Sequence, residues 1–233
     1  MNMHDQLIVA CKAKLELIIN TMLSTNQTFY MLLKLHTMQK THSDMMNDSL
    51  AFFRTVIENA KQTLFIEINN MFDKGRNGSG IRKLLEKTLE PNNLSLLENN
   101  QPVLFYDVVS VDDLHIDRII EDATVYCSFK EFLEDCKSKI ESYGDTIKKV
   151  RIQRDKFYAH KDATANLADL FNDNRVSFDD INSLLVLNTN IAISMYKYFF
   201  DVVEAPFVDH YDDIYKLIKA AESWRKLGKE PST

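Results

Sequence analysis

The stretch of sequence that decides the fold is FKEFLEDCKSKIESYGDTIKKVRIQRDKFYAHKD, residues 129–162. Its apolar residues recur every three or four positions, which is the spacing of one face of an α-helix. The members of this stripe are Phe129, Phe132, Cys136, Ile140, Tyr143, Ile147 and Val150. The next position on the stripe is Arg154. Because an arginine at a core position is costly unless it is paired or faces water, the pattern indicates Arg154 as a candidate functional residue.

The end of this stretch also differs in charge from the rest of the chain. Residues 148–162 contain six lysines and arginines and two aspartates, a net charge of +4, whereas the whole chain carries −6. An acidic protein with one basic segment is not expected to bind nucleic acid over its whole surface. It can still hold one local phosphate site.

The remaining sequence predicts an all-α fold. A chain of 233 residues can bury one substantial core, and its five glycines and four prolines lie between long periodic runs. Helical stripes occur at residues 4–23 and 27–41, as two helices or one continuous helix, and a further helix begins at Asp48 or Ser49 and ends near Asp73. No linker separates two domains, so residues 1–233 are interpreted as one helical domain with an N-terminal helical extension.

The second half of the chain contains several signals for helix ends. Ser79 is predicted to cap a short helix that Pro91 stops, and residues 91–102 are predicted to form an irregular connection. A strand within Val103–Val111 is possible but has no obvious partner. Ser177 is expected to cap the next helix, with Asp180 three residues on. A last helix is predicted from Asp209 to Leu227.

Composition also limits the class of protein. The three cysteines include no Cys-x-x-Cys pair, which is typical of reduced thiols in a cytoplasmic protein. Neither a signal peptide nor a membrane span is expected. The loop from Lys74 to Gly80 lacks the spacing of a nucleotide phosphate loop. Asp112 and His115 have no second ligand pair, so we expect neither a metal nor a cofactor.

Arg154 and His160 together fit an Arg-x(4–6)-His motif, with the polar Asp155 directly after the arginine. With its flanking residues, this motif resembles the abortive-infection (AbiU-type) branch of the HEPN superfamily. The segments 65–73, 176–181 and 188–200 are also similar, so that the resemblance covers roughly residues 25–205. It implies a HEPN-like helical bundle that is usually dimeric. Many such proteins are metal-independent ribonucleases of toxin–antitoxin or phage-defence systems.

The resemblance implies a catalytic role for both residues of the motif. Metal-free RNA cleavage needs a base for the 2′-OH, an acid for the leaving 5′-oxygen and a cation for the charged phosphorane. Histidine suits the proton steps because its pKa lies near neutrality, and arginine suits the phosphate because its charge is permanent. His160 is therefore expected to transfer protons, and Arg154 to bind the phosphate.

The neighbours of the motif are interpreted as supporting residues. Asp155 is expected to orient Arg154 or His160, and Arg151, Lys156 and Lys161 to hold flanking phosphates. Tyr158 could stack on a base or bond a phosphate, or it could pack in the bundle or a dimer interface. Some HEPN toxins carry His-x-Tyr, where a partner nucleotidyltransferase modifies the tyrosine. Asp162 occupies that position here, so this form of control is not expected.

The spacing of the motif raises a geometric problem. In an unbroken helix at about 100° per residue, His160 would lie about 120° from Arg154. Either the helix distorts near Ala159, or two chains share the site. The second solution agrees with the dimers of the HEPN superfamily and predicts a homodimer with residues 151–162 near the two-fold axis.

Two other interpretations stay open at this stage. A non-catalytic HEPN-like module that binds a partner protein, RNA or a nucleotide would carry similar residues. A structural explanation would pair Arg154 with a nearby carboxylate and place His160 at a helix end. Under the catalytic interpretation the expected partners are RNA, a second copy of the chain, and an antitoxin or regulatory protein.

Overall fold

The computed structural model describes residues 2–75, 80–99, 101–105, 124–159 and 173–200, and these are predominantly helical. The elements are α1 (Met3–Thr41), α2 (Ser43–Asp48), α3 (Leu50–Phe72), α4 (Ile81–Thr88), α5 (Pro91–Leu97), β1 (Val103–Phe105), β2 (Thr124–Tyr126), α6 (Phe129–Ser142), α7 (Gly144–Gln153), a π-helical segment (Arg154–Ala159) and α8 (Phe178–Phe200). The all-α prediction is confirmed.

Helix α1 is a single helix of 39 residues, so the two predicted N-terminal stripes form one continuous element. The side chain of Asn2 caps it by accepting the backbone N–H of Asp5 at 2.8 Å. Its buried face carries the predicted stripe residues Cys11, Leu15 and Ile18. This face packs against α3 and α8, so the N-terminal helix contributes a large part of the main core.

Helix α8 is the most deeply buried element of the described chain. All residues from 187 to 195 are buried, as expected for a helix surrounded by others. Its start confirms the predicted capping box. The Ser177 hydroxyl accepts the Asp180 N–H at 3.0 Å, and the Asp180 carboxylate accepts the Ser177 N–H at 2.9 Å. The backbone N–H and the hydroxyl of Ser177 both donate to the Asp180 carboxylate, and these two hydrogen bonds lower the pKa of Asp180.

Two predictions for the middle of the chain were wrong. Pro91 begins helix α5 instead of opening an irregular connection. A proline fits the first turn of a helix, because the N–H that it lacks would have no intrahelical partner there. The strand at Val103–Phe105 does have a partner, since it pairs antiparallel with Thr124–Tyr126. That partner lies about twenty residues away, so no local hairpin pattern indicates it.

A hydrogen-bond network attaches this small sheet to α6. The Tyr126 hydroxyl donates to the Asp135 carboxylate at 2.5 Å, and Lys139 forms an ion pair with the same oxygen. Burial acts to raise the pKa of Asp135, but the hydrogen bonds from Lys139 and Tyr126 outweigh it and lower the pKa. Burial and the bond to Asp135 raise the pKa of Tyr126.

Helix α4 lies very close to the end of α3. It begins after Gly80, which is its N-cap residue. A Cβ added to Gly80 would lie 2.3 Å from the Met71 carbonyl oxygen and 2.4 Å from that of Asn70. Only glycine allows this approach, which fixes Arg82, on the first turn of α4, beside α3.

Helix α7 begins at Gly144, and Tyr143 separates it from the end of α6. Several predictions fall outside the described residues: Ser79 as a cap, the strand beyond Phe105, Asp112 and His115 as possible ligands, and the helix from Asp209 to Leu227. In the ranges that the structure does describe, no helix is both long and apolar enough to cross a membrane.

Candidate functional site

Residues 148–153 of the basic segment lie on α7, whose buried face packs against the rest of the bundle. Val150 is completely buried, and α7 and the π-helical segment both contact α3. Gln153 is also buried, and its side-chain amide donates to the Asn174 carbonyl at 2.5 Å. This bond ties the start of the motif to the chain just before α8. The backbone at Arg154 is therefore anchored from two sides.

The α-helix becomes a π-helix at Arg154 and continues so to Ala159. A π-helix bonds residue i to i+5 instead of i+4, and single π-helical turns occur frequently at functional sites. The helix thus distorts across the motif, which was one of the two expected solutions to its spacing. His160, Lys161 and Asp162 lie outside the described residues, so the position of His160 relative to Arg154 stays a prediction.

Arg154 is mostly buried yet poorly paired. Its side chain is 29% exposed, and its Nε lies 2.9 Å from the Asp155 Oδ1. The N–H does not point at that oxygen, so among the described residues the buried Nε has no hydrogen-bond partner. An unpaired buried N–H typically costs about 1–3 kcal/mol. Asp155 is therefore the nearby carboxylate that a purely structural role of Arg154 requires. It forms an ion pair with the guanidinium but does not accept a hydrogen bond from Nε.

The structure brings three of the predicted site residues together. The second carboxylate oxygen of Asp155 lies 4.0 Å from Nε of Arg151, so Asp155 sits between two guanidinium groups. The Arg151 side chain is 65% exposed. Lys156 is half-buried on the π-helical segment. Tyr158 belongs to the same segment, but its side chain lies outside the described part of the structure.

A cleft beside Arg151 is the feature that the sequence did not indicate. It has a volume of about 480 Å³ and lies between the end of α3, the start of α4 and the α6–α7 junction. Its charged residues are Asp73, Lys74, Arg82, Glu141, Lys148 and Arg151. Four cations against two anions give a local net charge of +2 in an acidic protein. Lys74 begins the loop after α3, which does not have the spacing of a nucleotide phosphate loop. No sequence motif therefore indicates this cleft.

Arg82 is the most buried cation of the cleft, with a side chain that is 11% exposed. Its Nε lies 3.5 Å from the Glu86 carboxylate, which also accepts a 2.7 Å hydrogen bond from Lys83. Burial acts to raise the pKa of Glu86, but the bond and charge of Lys83, with those of Arg82, outweigh it and lower the pKa. Glu86 is thus shared with Lys83, which leaves Arg82 incompletely neutralised.

The family model HEPN_AbiU2, described as AbiU2, matches residues 6–213. The chain belongs to the AbiU2 family of HEPN proteins. This match confirms the resemblance and begins inside α1, so the AbiU2 family region includes the N-terminal helix. Neither the curated proteins nor the solved structures that were compared with the chain give a match.

Membership of the AbiU2 family makes this chain an abortive-infection HEPN module, in a superfamily whose members are often ribonucleases. Within the described ranges, no group of three or more histidine, cysteine, aspartate or glutamate side chains is placed to hold a metal ion.

Proposed function

We propose that this AbiU2-family protein is a metal-independent endoribonuclease of a toxin–antitoxin or phage-defence system, with Arg154 and His160 as its catalytic residues. The observation that supports it most is the state of Arg154. The guanidinium is held in a π-helical turn with a buried N–H that no described residue satisfies. A phosphate oxygen is the kind of acceptor that such a group binds well.

In the proposed reaction a histidine removes the proton from the ribose 2′-OH, and the 2′-oxygen attacks the adjacent phosphorus. The bond to the 5′-oxygen of the next nucleotide then breaks, and an acid protonates that leaving oxygen. The products are a 2′,3′-cyclic phosphate and a free 5′-OH. Arg154 stabilises the charged phosphorane with its planar set of donors. Asp155, between Arg151 and Arg154, orients the Arg154 guanidinium.

The two proton transfers are easiest to explain with a homodimer. One histidine acts as the base while the other acts as the acid, and His160 of each chain supplies one of them. The dimers typical of the HEPN superfamily support a site that is shared by two motifs. An antitoxin or regulatory protein that covers this site would keep the enzyme silent.

The test is cleavage of a labelled cellular RNA pool by wild-type protein, His160→Ala and Arg154→Ala, each with EDTA present. Loss of a proton-transfer group typically lowers a rate by about 10²–10⁴-fold, so both variants should lose nearly all cleavage. Growth inhibition on overexpression should disappear with it. The matched control is Arg54→Ala, which removes an exposed arginine near the start of α3 and should leave cleavage unchanged.

Two outcomes would contradict the proposal. If the wild-type protein cuts no cellular RNA with or without added metal, the chain is better explained as a non-catalytic AbiU2-family module that binds a partner protein, RNA or a nucleotide. If cleavage survives His160→Ala, the activity lies elsewhere or belongs to a contaminant.

A further inference from the structure

The cleft beside Arg151 is built from segments far apart in the sequence. Lys74 follows α3, Arg82 lies on α4, and Lys148 and Arg151 lie one turn apart on α7. The close approach of Gly80 to the end of α3 fixes the position of Arg82. Four cations thus converge on one concavity in a chain whose net charge is −6. Convergent positive charge in a cleft attracts anions more strongly than the same charges spread over a surface.

The two carboxylates in the cleft do not neutralise these cations. Asp73 accepts the backbone N–H of Gly75 at 3.1 Å. In the described part of the chain, neither Asp73 nor Glu141 forms an ion pair with Lys74 or Lys148. Two cations of the cleft have a carboxylate nearby: Arg82 is close to Glu86, which is shared with Lys83, and Arg151 lies 4.0 Å from Asp155, which is shared with Arg154. The charges of Lys74 and Lys148 are therefore available to a ligand.

Asn69 gives an independent indication of a ligand. It lines the cleft from α3 and is only 3% exposed. Its Nδ2 is buried without a hydrogen-bond partner among the described residues. Buried donors in folded proteins are almost always paired, and an unpaired one requires an explanation. An acceptor bound in the cleft would be the partner that this amide lacks.

We infer that this cleft binds a phosphate group of a nucleotide, at a site beside the Arg154–His160 motif but separate from it. The ligand must be an anion with several acceptor oxygens, because its partners are cations and an amide donor. A phosphate offers such oxygens, and lysine and arginine are its usual partners in proteins. The volume of about 480 Å³ lies within the range of about 300–1,000 Å³ typical of small-molecule sites, so a mononucleotide fits.

The phosphate has two possible sources with the same chemistry. It belongs either to a free mononucleotide or to a nucleotide of an RNA strand that passes Arg151 on its way to the motif. The inference does not depend on the proposed cleavage, since binding requires no proton transfer.

Binding is therefore measured on the full-length His160→Ala protein, which lacks the proposed proton-transfer group. Calorimetric titration compares adenosine 5′-monophosphate, adenosine and a short single-stranded RNA. The test variant is Lys148→Gln, and the matched control is Lys149→Gln, which removes the same charge from the adjacent position that does not line the cleft. Loss of one charge-assisted contact should weaken binding of the monophosphate by roughly fivefold or more in Lys148→Gln, against less than about twofold in the control.

Asn69→Leu tests the buried amide by a second route. It removes the donor at nearly constant volume, so it should weaken binding without lowering the thermal midpoint. A lower midpoint with unchanged binding would assign Asn69 a structural role and contradict the inference.

The results also distinguish the sources. If the RNA does not compete with the monophosphate, the site holds a free nucleotide; if it competes, and Lys148→Gln weakens both, the site holds an RNA phosphate. Equal affinity for adenosine and its monophosphate would overturn the inference, because the phosphate would then contribute nothing. So would equal effects of Lys148→Gln and Lys149→Gln. Neither result would affect the cleavage assay.

Discussion

Replacing Arg154 by leucine tests whether this residue is held for function or for stability. The change removes a buried N–H without a partner, whose presence costs about 1–3 kcal/mol, and restores the apolar stripe. It also removes the ion pair with Asp155. Because the Asp155 side chain is 40% exposed, that pair contributes only about 0–1 kcal/mol. The free energy of unfolding of Arg154→Leu should therefore be unchanged or higher by about 1–2 kcal/mol.

The assay is urea unfolding followed by circular dichroism, with the slope m checked so that a shifted midpoint reports stability. For a chain of this size, 1 kcal/mol corresponds to about 2–4 °C in the thermal midpoint, which gives a second readout. Val150→Ala is the matched control one turn earlier. Val150 is completely buried, so its truncation should lower the free energy of unfolding by roughly 1–3 kcal/mol. If Arg154→Leu lowers the free energy of unfolding as much as Val150→Ala does, the reasoning is refuted and Arg154 anchors a structural ion pair.

The remaining predictions concern packing, pH and assembly. Gly80→Ala should lower the free energy of unfolding by about 1–3 kcal/mol or more, because the added Cβ would meet backbone atoms of α3. Gly144→Ala is the matched control: its added Cβ would meet nothing within 4 Å, so the thermal midpoint should stay the same or rise. The lowered pKa of Asp135 adds stability that is present above its ordinary pKa of about 4 and is lost as the pH falls through the folded value, so Asp135→Asn should flatten the acid side of a stability–pH curve. The raised pKa of Tyr126 adds stability that is present below about pH 10 and is lost above it, and Tyr126→Phe should remove that alkaline loss. Light scattering at micromolar concentration should give a homodimer, and a monomer would argue against a shared site.

The sequence predicted the elements whose signals are local. The stripe from Phe129 to Val150 predicted the helical structure of α6 and α7, because side chains three and four apart share a helix face. The capping box at Ser177 and Asp180 was correct because both of its hydrogen bonds close within four residues. Pro91 misled because the same residue can end one helix and begin another, and the choice depends on what α5 packs against.

The candidate site was predictable only in part, because some of its features depend on tertiary packing and not on local sequence signals. Arg154 stood out because a charge interrupts an apolar stripe, and the structure places it mostly buried beside Asp155. The π-helical turn was not predictable in detail, since the hydrogen-bond register of a helix is set by the packing around it. The catalytic roles of Arg154 and His160 stay predictions.

What the sequence by itself determined is the helical class, the AbiU2 resemblance and the basic segment, because composition and short-range spacing carry that information. The tertiary structure alone decided that Lys74 and Arg82 face Lys148 and Arg151 across a cleft. About seventy residues separate the two pairs in the chain, and neither pair belongs to a motif. Their meeting depends on how closely α4 approaches α3 at Gly80 and on the packing of α7 against α3. Electrostatic attraction for a phosphate depends on distances in space, and folding sets those distances.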